Sequence, residues 1–379
     1  MDGAEHRALA ALTRDFAAVF HKAVRALQGD GPALERLGFP WVALELLARE
    51  APDEPLLFGR FDFVLDRGGD WQLLEYNADT PSGGRETVAV ERVVAGHLGR
   101  GAAPSPPLRR TGPHLASALR RTFRRALAGL PAGGRLGIMT DAGYAEDLSQ
   151  AVFLARHLAP ALAREGIEVL YGDVDNLTTG RGRLCLMGRP LDALYRYYPF
   201  ETLLGRQAFV DLFAAAGSGR VRLLNGLRGL LAQNKGVLAW LWAHRADRAL
   251  FTPRERRAIA RHLPPTWWIG DLPPDADRAG LVLKQAFGRE GEEVYFGDRL
   301  ADADWERCRR WGSYVCQRRV DVPPLEAVVR TAAGPRTQTL WPAVGSFTAG
   351  GAWAGYYTRL GGPITTASAR FVPTFFADD

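Results

Sequence analysis

The hydrophobic pattern before residue 99 predicts three helices and a pair of strands. Apolar residues recur at helical spacing in three segments: 5–28, 33–50 and ETVAVERVVAGHL (86–98). Apolar and polar residues alternate in FGRFDFVLD (58–66) and WQLLEYN (71–77), which is typical of strands with one buried face. The Pro- and Gly-rich stretch GRGAAPSPPLRRTGP (99–113) follows, and it predicts a loop between two lobes.

After residue 113, helical and strand patterns alternate. The helical segments are HLASALRRTFRRAL (114–127) and DLSQAVFLARHLAPALAREG (147–166). The strand segments are RLGIMTDAG (135–143, with a turn), IEVLYGDV (167–174) and LDALYRYYPF (191–200). This alternation predicts an α/β lobe.

From Leu224 onward the pattern changes to one helical segment followed by strands. The helical segment is LLAQNKGVLAWLWAHRA (230–246). The strand segments are LVLKQAF (281–287), SYVCQRRV (313–320), LWPAVGSFTAGG (340–351) and AGYYTRLGG (354–362). Strands joined by Gly-rich turns predict an α+β lobe in this part of the chain.

The composition sets limits on the architecture and on the cellular compartment. At 379 residues the chain exceeds the size at which one hydrophobic core stops growing, about 250 to 300 residues, so we expect two or three lobes. No run approaches the roughly 18 apolar residues of a membrane span, and the polar N-terminus MDGAEHRALA differs from a signal peptide. We therefore predict a cytoplasmic protein with no membrane partner.

Charge and metal-ligand spacing exclude two further classes of function. The net charge of +6 does not predict a nucleic-acid partner, because the arginines are interspersed with acids and form no basic block. The three cysteines lack CxxC spacing, and the seven histidines form no HxxxH or HExxH motif, which excludes the usual zinc sites. A metal in this protein therefore needs oxygen ligands.

The two strands around DRGGD predict a hairpin with a polar face. A loop at 67–70 pairs Asp66 with Trp71, and in that register four polar side chains share one face: Arg60, Asp62, Glu75 and Asn77. The other face carries Phe61, Phe63, Leu74 and Tyr76. An ion-paired solvent face is one interpretation. The other is a magnesium site, because Mg²⁺ takes a few carboxylates, neutral amide oxygens and substrate phosphates.

Lysine usage indicates where phosphates bind. Only three of the 48 basic residues are lysines: Lys22, Lys235 and Lys284. Lys284 comes late in an apolar strand and precedes the turn Gly288–Gly291, an arrangement that can hold nucleotide phosphates. Lys235 begins a strongly apolar helix. The alternatives are an ordinary β-turn and a solvated helix start, and neither a P-loop nor a dinucleotide GxGxxG motif occurs.

Six segments, in this order, together resemble the glutathionylspermidine synthetase family of ATP-grasp ligases. They are RFD (60–62), LLEYNADTPS (73–82), NKGVLAWLW (234–242), LVLKQAFGREG (281–291), YVCQRRVDVPP (314–324) and GSFTAGGAWAGYYTRLGGPIT (345–365). The resemblance spans 58–373. It implies a permuted ATP-grasp fold of mixed α+β and α/β character, in which the metal-binding strands precede the nucleotide-binding lysines. No amidase segment follows, so it implies ligation alone.

The resemblance also implies a division into four units. These are 1–113 with the N-terminal helices and metal-binding hairpin, 114–223 as an α/β substrate-binding lobe, 224–340 as the ATP-binding lid, and 341–379 with the return strands of the core. The cofactors would be ATP and two Mg²⁺ ions.

Site residues are carried over from the family position by position. The implied metal ligands are Asp62, Glu75 and Asn77, and the implied catalytic residues are Arg60, Asp62 and Arg359. ATP would contact Lys235, Lys284, Arg289, Glu290, Gly291, Gln317, Arg318, Arg319, Val320, Ile364, Thr365 and Thr366. The substrates would contact Thr80, Ser82, Glu146 and Tyr197.

The chain departs from the family at positions that concern the substrate. Where glutathione-using members have WKTWAWE with a substrate-binding threonine, this chain reads YRYYPFE (195–201) and has Tyr197. Ala343 replaces a polar residue. No cluster of acids in the sequence can be assigned to a polyamine. Glutathione and spermidine are therefore not the expected substrates.

The implied function is an ATP-dependent carboxylate–amine ligase that forms an amide through an acyl phosphate. The expected partners are a small-molecule or peptide carboxylate and an amine, and a carrier-protein-bound acid fits the same chemistry. Two other classes stay open. A two-metal phosphate-ester hydrolase would use the same carboxylates, and a non-catalytic ATP-binding module would need only the lysines.

Overall fold

The computed structural model describes residues 1–98, 108–288, 291 and 293–377. The helices are α1 Gly3–Gln28, α2 Gly31–Arg36, α3 Leu44–Arg49, α4 Glu91–Leu98, α5 Gly112–Ala126, α6 Ala145–Ala163, α7 Phe200–Leu203, α8 Gln207–Gly217, α9 Leu227–Gln233, α10 Gly236–Ala243, α11 Pro253–His262 and α12 Asp302–Trp311. Shorter 3-10 turns lie at Trp41–Ala43, Val174–Asn176, Ile269–Asp271, Arg278–Gly280 and Gly297–Arg299, and a π-helical turn at Glu86–Val90. Within the described ranges, no helix is both long enough and apolar enough to cross a membrane.

The strands form several sheets around these helices. They are β1 Phe58–Leu65, β2 Trp71–Asn77, β3 Leu108–Arg110, β4 Arg135–Thr140, β5 Glu168–Asp173, β6 Leu177–Gly180, β7 Arg183–Leu186, β8 Arg189–Pro190, β9 Ala193–Arg196, β10 Arg222–Leu224, β11 Thr266–Trp268, β12 Leu281–Gln285, β13 Val294–Phe296, β14 Tyr314–Arg318, β15 Leu325–Thr331, β16 Gly334–Ala349, β17 Ala352–Gly361, β18 Arg370–Val372 and β19 Phe375–Ala377. This mixture agrees with the predicted α/β and α+β character.

The predicted hairpin, β1 and β2, lies at one edge of an antiparallel sheet. Its order is β18-β17-β16-β1-β2, and β15 pairs with β16. One face packs on α1, where the ring of Phe20 lies 5.3 Å from that of Phe61 and 5.0 Å from that of Tyr76. α1 begins with a capping box between Asp2 and Glu5. Because α1 covers this face, the polar face of the hairpin is turned toward the rest of the molecule.

Two smaller sheets complete the surroundings of that polar face. A parallel sheet runs in the order β10-β9-β4-β5 with α5 and α6 packed against it, as the alternating pattern predicts. A second, antiparallel sheet runs in the order β11-β14-β12-β13, with α12 beside it, and we call it the third sheet. The domain boundaries stay predictions.

The prediction of one continuous helix over 33–50 is wrong, because the chain leaves the helical conformation in the middle of that range. α2 ends at Arg36, and Gly38 then adopts a φ of +64°, a left-handed conformation that stops a helix. Pro40 follows in an extended conformation before the next turn begins. A periodic apolar pattern can therefore continue across a helix break.

Three other boundaries differ from the prediction. The helix predicted over 230–246 is two helices, α9 and α10, separated by Asn234 and Lys235. The strand predicted over 191–200 ends at Arg196. Of the predicted loop 99–113, the first nine residues lie outside the described part of the chain. The next three form β3, which pairs with β19, so a loop was the wrong prediction there.

Candidate active site

A cavity of about 800 Å³ lies between the polar face of the hairpin, the third sheet and the carboxyl ends of the parallel sheet. Its lining includes most of the residues proposed from the sequence: Arg60, Asp62, Glu75, Asn77, Thr80, Ser82, Glu146, Lys235, Lys284, Gly291, Gln317, Arg318, Arg319, Val320, Arg359, Ile364, Thr365 and Thr366. Ligand sites commonly lie at such junctions and at the carboxyl ends of parallel strands. We call this cavity the cleft.

The hairpin register confirms the predicted polar face but not the predicted turn. Arg60 pairs with Asn77, and Asp62 pairs with Glu75. Beyond Asp62 the register shifts by one residue, and the strand pairs end at Leu65 opposite Trp71. This bulge leaves Leu74 as the extra residue.

The bulge corrects one side chain of the prediction. Leu74 was expected on the face with Phe61 and Phe63, but it lines the cleft instead. Leu73 takes its place in the core with both phenylalanines. Bulges of this kind re-aim side chains locally without changing the rest of the register. The carboxylates therefore stay on the predicted face.

Asp62 is the centre of a buried hydrogen-bonded cluster. Its carboxylate accepts from Arg60 Nε at 2.6 Å and Nη2 at 3.0 Å, from Arg359 Nη2 at 2.7 Å, and from Asn77 Nδ2 at 3.1 Å. Burial by itself lowers the pKa of Arg60, but the charge of Asp62 raises it above its ordinary value. Arg60 is therefore held as a cation at the cleft wall.

Neighbouring residues leave space for this cluster and support it. Gly345 pairs with Asp62 from β16, and a Cβ atom there would lie 2.6 Å from Arg60 Cδ. The ring of Tyr357 lies 5.2 Å below the Arg60 guanidinium, a favourable cation–π distance. Sequence reasoning missed Tyr357, although its position two residues before Arg359 on a strand predicts that both face the same side.

Glu75 is the second carboxylate of the cleft and lies beside two lysines. Lys235 Nζ is 3.7 Å from its carboxylate. Burial by itself raises the pKa of Glu75, but the positive charges of Lys235 and Lys284 outweigh it and lower the pKa well below its ordinary value. The carboxylate is therefore ionised at neutral pH.

The two lysines reach the cleft from different elements. Lys235 lies between α9 and α10, where its N–H donates to Ala286 O at 2.8 Å and its Nζ to Gly288 O at 2.5 Å. Lys284 Nζ donates to Leu74 O at 3.0 Å and to Gln317 Oε1 at 2.7 Å. Because both lysines are more than nine-tenths buried, an anionic group in the cleft can replace the present acceptors of their ammonium groups at little cost in solvation.

Nucleotide affinity is expected to fall as the pH rises through about 8. Burial lowers the pKa of Lys284 from 10.5 to about 8, an effect that Glu75 opposes and Lys235 adds to. The folded protein loses this ammonium near pH 8, whereas the unfolded chain keeps it until about 10.5, so stability should rise with pH across the same window. ADP titrations in EDTA and urea unfolding, each measured from pH 7 to 10, test the expected fall in affinity and the expected rise in stability.

Constant values of both quantities would contradict this pH dependence. If neither the ADP affinity nor the stability against urea changes from pH 7 to 10, Lys284 does not titrate in this range. Lys284→Met is the control, because it removes the titration and should give a low affinity that no longer changes with pH in this window.

The turn after β12 contacts the opposite side of the cleft. Gly291 has a φ of +75°, and a Cβ atom there would lie 2.5 Å from the carbonyl oxygen of Thr365. Only glycine fits this approach without displacing the backbone. Arg289 and Glu290, which were predicted to contact ATP, lie outside the described residues.

The substrate candidates divide into cleft residues and one core residue. Thr80, Ser82 and Glu146 line the cleft, and Ser82 accepts from Arg60 Nη1 through its backbone oxygen at 2.8 Å. Tyr197 is 1% exposed and packs in the core of the parallel sheet rather than in the cleft lining. Its neighbour Tyr198, which like Tyr197 follows the end of β9, lines the cleft instead. A substrate role for Tyr197 stays a prediction.

Apolar side chains of the third sheet form a wall that sequence reasoning missed. Val282, Val294 and Phe296 line the cleft beside Gln317. A flat apolar wall next to polar backbone edges suits an aromatic base. In the sequence these residues cannot be distinguished from ordinary core positions of a strand.

The oxygen donors of the hairpin suit a magnesium ion that binds together with a phosphate ligand. Two carboxylates and one amide are few for a metal bound by protein alone, and no group of three or more His, Cys, Asp or Glu side chains suited to a metal occurs in the described ranges. Mg²⁺ typically takes one or two carboxylates and completes its octahedron with substrate phosphates and water. The residues present therefore fit this ion.

Comparisons with known proteins agree with the resemblance seen in the sequence. A model of the glutathionylspermidine synthase preATP-grasp family matches residues 1–377. A protein of Haemophilus influenzae with the provisional name acid–amine ligase is 24% identical over 332 residues, which cover 85% of this chain and 75% of that protein. A glutathione synthetase-like effector from Globodera pallida, solved in its apo form, has the same fold class with a TM-score of 0.65 and 12% identity, covering 100% of this chain and 87% of its own. The chain belongs to the glutathionylspermidine synthase preATP-grasp family.

Proposed function

We propose that this protein is an ATP-dependent carboxylate–amine ligase with a permuted ATP-grasp fold. One observation carries the proposal: two carboxylates, two arginines and two buried lysines, drawn from four separate parts of the chain, converge on one cavity. The family and the name of the Haemophilus influenzae relative support the same reaction class.

In the proposed reaction, an oxygen of the substrate carboxylate attacks the γ-phosphorus of ATP. The bond to the β,γ-bridging oxygen breaks and ADP forms, leaving an acyl phosphate. The nitrogen of the amine then attacks the acyl carbon, the carbon–oxygen bond to phosphate breaks, and an amide, inorganic phosphate and a proton result.

The chain's own residues would bind and neutralise the reacting groups. Lys235 and Lys284 would each donate to phosphate oxygens of ATP in place of their present carbonyl and amide partners. Arg60 and Arg359 both donate to Asp62 and would face the phosphoryl group as it moves toward the carboxylate. Fixed cations that point at developing negative charge are the main source of catalysis in phosphoryl transfer.

The hairpin would supply the metal ligands. Asp62, Glu75 and Asn77 would bind Mg²⁺ through their side-chain oxygens, and the bound ions would offset charge on the β- and γ-phosphates. The turn that includes Gly291 would close over the phosphates and exclude water from the acyl phosphate.

The products distinguish this reaction from adenylation. We expect ADP and inorganic phosphate, because attack of the carboxylate on the γ-phosphorus releases ADP and attack of the amine on the acyl phosphate then releases phosphate. AMP and pyrophosphate would contradict the acyl-phosphate route. Phosphorus NMR of a reaction started with ATP separates the two outcomes, and hydroxylamine added as a trap should give the hydroxamate of the acid.

A panel of acids and amines tests the function itself. Each acid is paired with each amine at saturating MgATP, and ADP formation above that seen with either partner alone identifies a substrate pair. Peptide acids and carrier-protein-bound acids belong in the panel because they use the same chemistry. Binding of ATP without ADP formation for any pair would favour the non-catalytic module. Hydrolysis of other phosphate esters would favour the two-metal hydrolase.

A further inference from the structure

The segment that follows β2 is fixed at both ends where it enters the cleft. Ser82 at one end accepts hydrogen bonds from Arg60 Nη1, to its backbone oxygen at 2.8 Å and to its hydroxyl at 3.2 Å. At the other end, the backbone N–H groups of Ala78 and Asp79 donate to Gln233 Oε1 at 3.2 and 3.0 Å. Thr80 lies between these ends and lines the cleft. We call residues 79–82 the substrate loop.

Asp79 joins the substrate loop to the parallel sheet through a buried ion pair. Its carboxylate accepts from Arg196 Nη2 and from the N–H of Phe200 at 3.4 Å, and both charged side chains are at most 1% exposed. Arg196 lies at the carboxyl end of β9 and also donates from Nη1 to Tyr198 O at 2.6 Å. One guanidinium therefore contacts the loop and the segment that brings Tyr198 into the cleft.

Asn225 completes the junction in a strained conformation. Its φ is +44°, which non-glycine residues rarely adopt. Its side chain donates to the backbone oxygens of Asp79 and Arg196 and accepts from the Arg196 N–H at 3.1 Å. Strain of this kind persists where the surrounding contacts hold it, and it is concentrated at functional sites.

The junction also reaches the nucleotide side of the cleft. Gln233 is the last residue of α9, and Lys235 follows two residues later. The same short segment therefore contacts the substrate loop through Gln233 and the Gly288 carbonyl through Lys235. A shift of the substrate loop would change the distance between the bound acid and the nucleotide phosphates.

Stability alone is a poor explanation for this ion pair. A buried ion pair is commonly no more stabilising than apolar residues of the same volume, because both charges lose their hydration. What a directional, fully buried pair does supply is one defined geometry between the elements that it joins. Here those elements are the end of the metal-binding hairpin and the carboxyl end of the parallel sheet.

We infer that Asp79 and Arg196, with Asn225, position the substrate loop so that the carboxylate substrate lies in line with the terminal phosphate of ATP. They act as positioning residues, since none of the three lines the cleft among the described residues. The inference rests on the proposed function for the identity of the substrate, and the arrangement of the loop can be measured without it.

The decisive experiment compares single and double charge removal. Arg196→Met removes the cation that pairs with the buried carboxylate of Asp79 and should lower the melting temperature strongly. The double variant Asp79→Asn with Arg196→Met removes both charges and should recover most of that stability. We expect it to keep normal ADP binding but to lose about ten- to hundredfold in kcat/KM for the acid found in the panel, the scale of a misplaced reactant. Hydrogen exchange at residues 79–82 should increase, and exchange in β12 should not.

Two further variants keep the test decisive if Arg196→Met does not fold. Asn225→Gly relieves the backbone strain and keeps the ion pair, and it should still raise the KM for the acid and the exchange rate of the substrate loop. Glu91→Gln is the matched control, because this buried carboxylate accepts from Thr111 N and Gly112 N away from the cleft. It should lower stability without changing either readout.

The outcomes separate positioning from a purely structural role. If the double variant recovers stability and kcat/KM together, or if exchange at 79–82 is unchanged in it, the inference is wrong. If no acid and amine pair gives turnover with the wild-type protein, the proposed function fails. Hydrogen exchange at residues 79–82 does not depend on turnover, and it then still tests whether Asp79 and Arg196 hold the substrate loop in place.

Discussion

Asp62→Asn is expected to abolish acid-dependent ADP formation at ordinary magnesium concentrations while leaving a folded protein. The carboxylate accepts hydrogen bonds from both arginines of the cleft and from Asn77, so its charge balances two cations and orients them. The substitution also removes an anionic oxygen from the proposed metal site. Breaking one side of a buried ion pair costs about 3 to 5 kcal/mol, so the melting temperature should fall.

Companion variants show whether the loss belongs to the site. Glu75→Gln should have a similar effect, because Glu75 is the other carboxylate on the polar face of the hairpin, and Asn77→Ala should be milder because a neutral ligand contributes less charge. Asp66→Asn is the matched control. Asp66 lies in the turn of the same hairpin, where it accepts from Asp70 N at 2.9 Å and Gln72 Nε2 at 2.9 Å.

The measurement is steady-state ADP release at several magnesium concentrations, with circular dichroism to establish that each variant is folded. Full activity in Asp62→Asn would mean that the polar face of the hairpin is an ordinary ion-paired surface. Loss of activity in Asp66→Asn of the same size would mean that any change in this hairpin is harmful, and the metal site would lose its support.

Much of the candidate site was predictable because its main part is local in sequence. Arg60, Asp62, Glu75 and Asn77 lie on two strands joined by a short turn, and side-chain alternation alone places them on one face. The prediction paired Trp71 with Asp66, whereas its observed partner is Leu65, and the bulge at Leu74 absorbs this shift of one residue before the carboxylates. A bulge cannot be read from alternation, since it is an exception to that rule.

The junction behind the substrate loop was not predictable in the same way. Asp79 and Arg196 are 117 residues apart, and in the sequence each reads as a charged residue at the end of an apolar strand. A solvated strand end and a buried ion pair give the same local pattern. What distinguishes them is the packing of two sheets against each other, which depends on contacts that no local window contains.

The helix breaks at Gly38 and Lys235 were missed for a related reason. Apolar residues on both sides of each break face the same core, so the periodic pattern continues while the backbone does not. At Lys235 the break has a consequence for the site. It places the lysine at the end of one helix and the beginning of the next, where its side chain enters the cleft.

Lysine at positions 235 and 284 is expected to be irreplaceable by arginine. The chain has 45 arginines and three lysines, a bias that favours arginine wherever either residue suffices. The Lys284 side chain is 7% exposed, and its Nζ lies between Leu74 O at 3.0 Å and Gln317 Oε1 at 2.7 Å. A compact ammonium fits this space and reaches one phosphate oxygen, whereas a planar guanidinium is broader and donates in a fixed fork.

We therefore expect Lys284→Arg and Lys235→Arg each to lower kcat/KM for ATP by about ten- to hundredfold, which corresponds to roughly 1.5 to 3 kcal/mol for a hydrogen bond to a charged group. Lys22→Arg is the control. Lys22 lies on α1, is one-third exposed, and pairs with Glu255 at 2.6 Å, a contact that arginine can also make. Steady-state kinetics with varied ATP on the three variants provide the measurement. Equal kcat/KM values for Lys284→Arg and Lys22→Arg would mean that lysine at 284 has no special role. Family membership would then be the main remaining support for the nucleotide site.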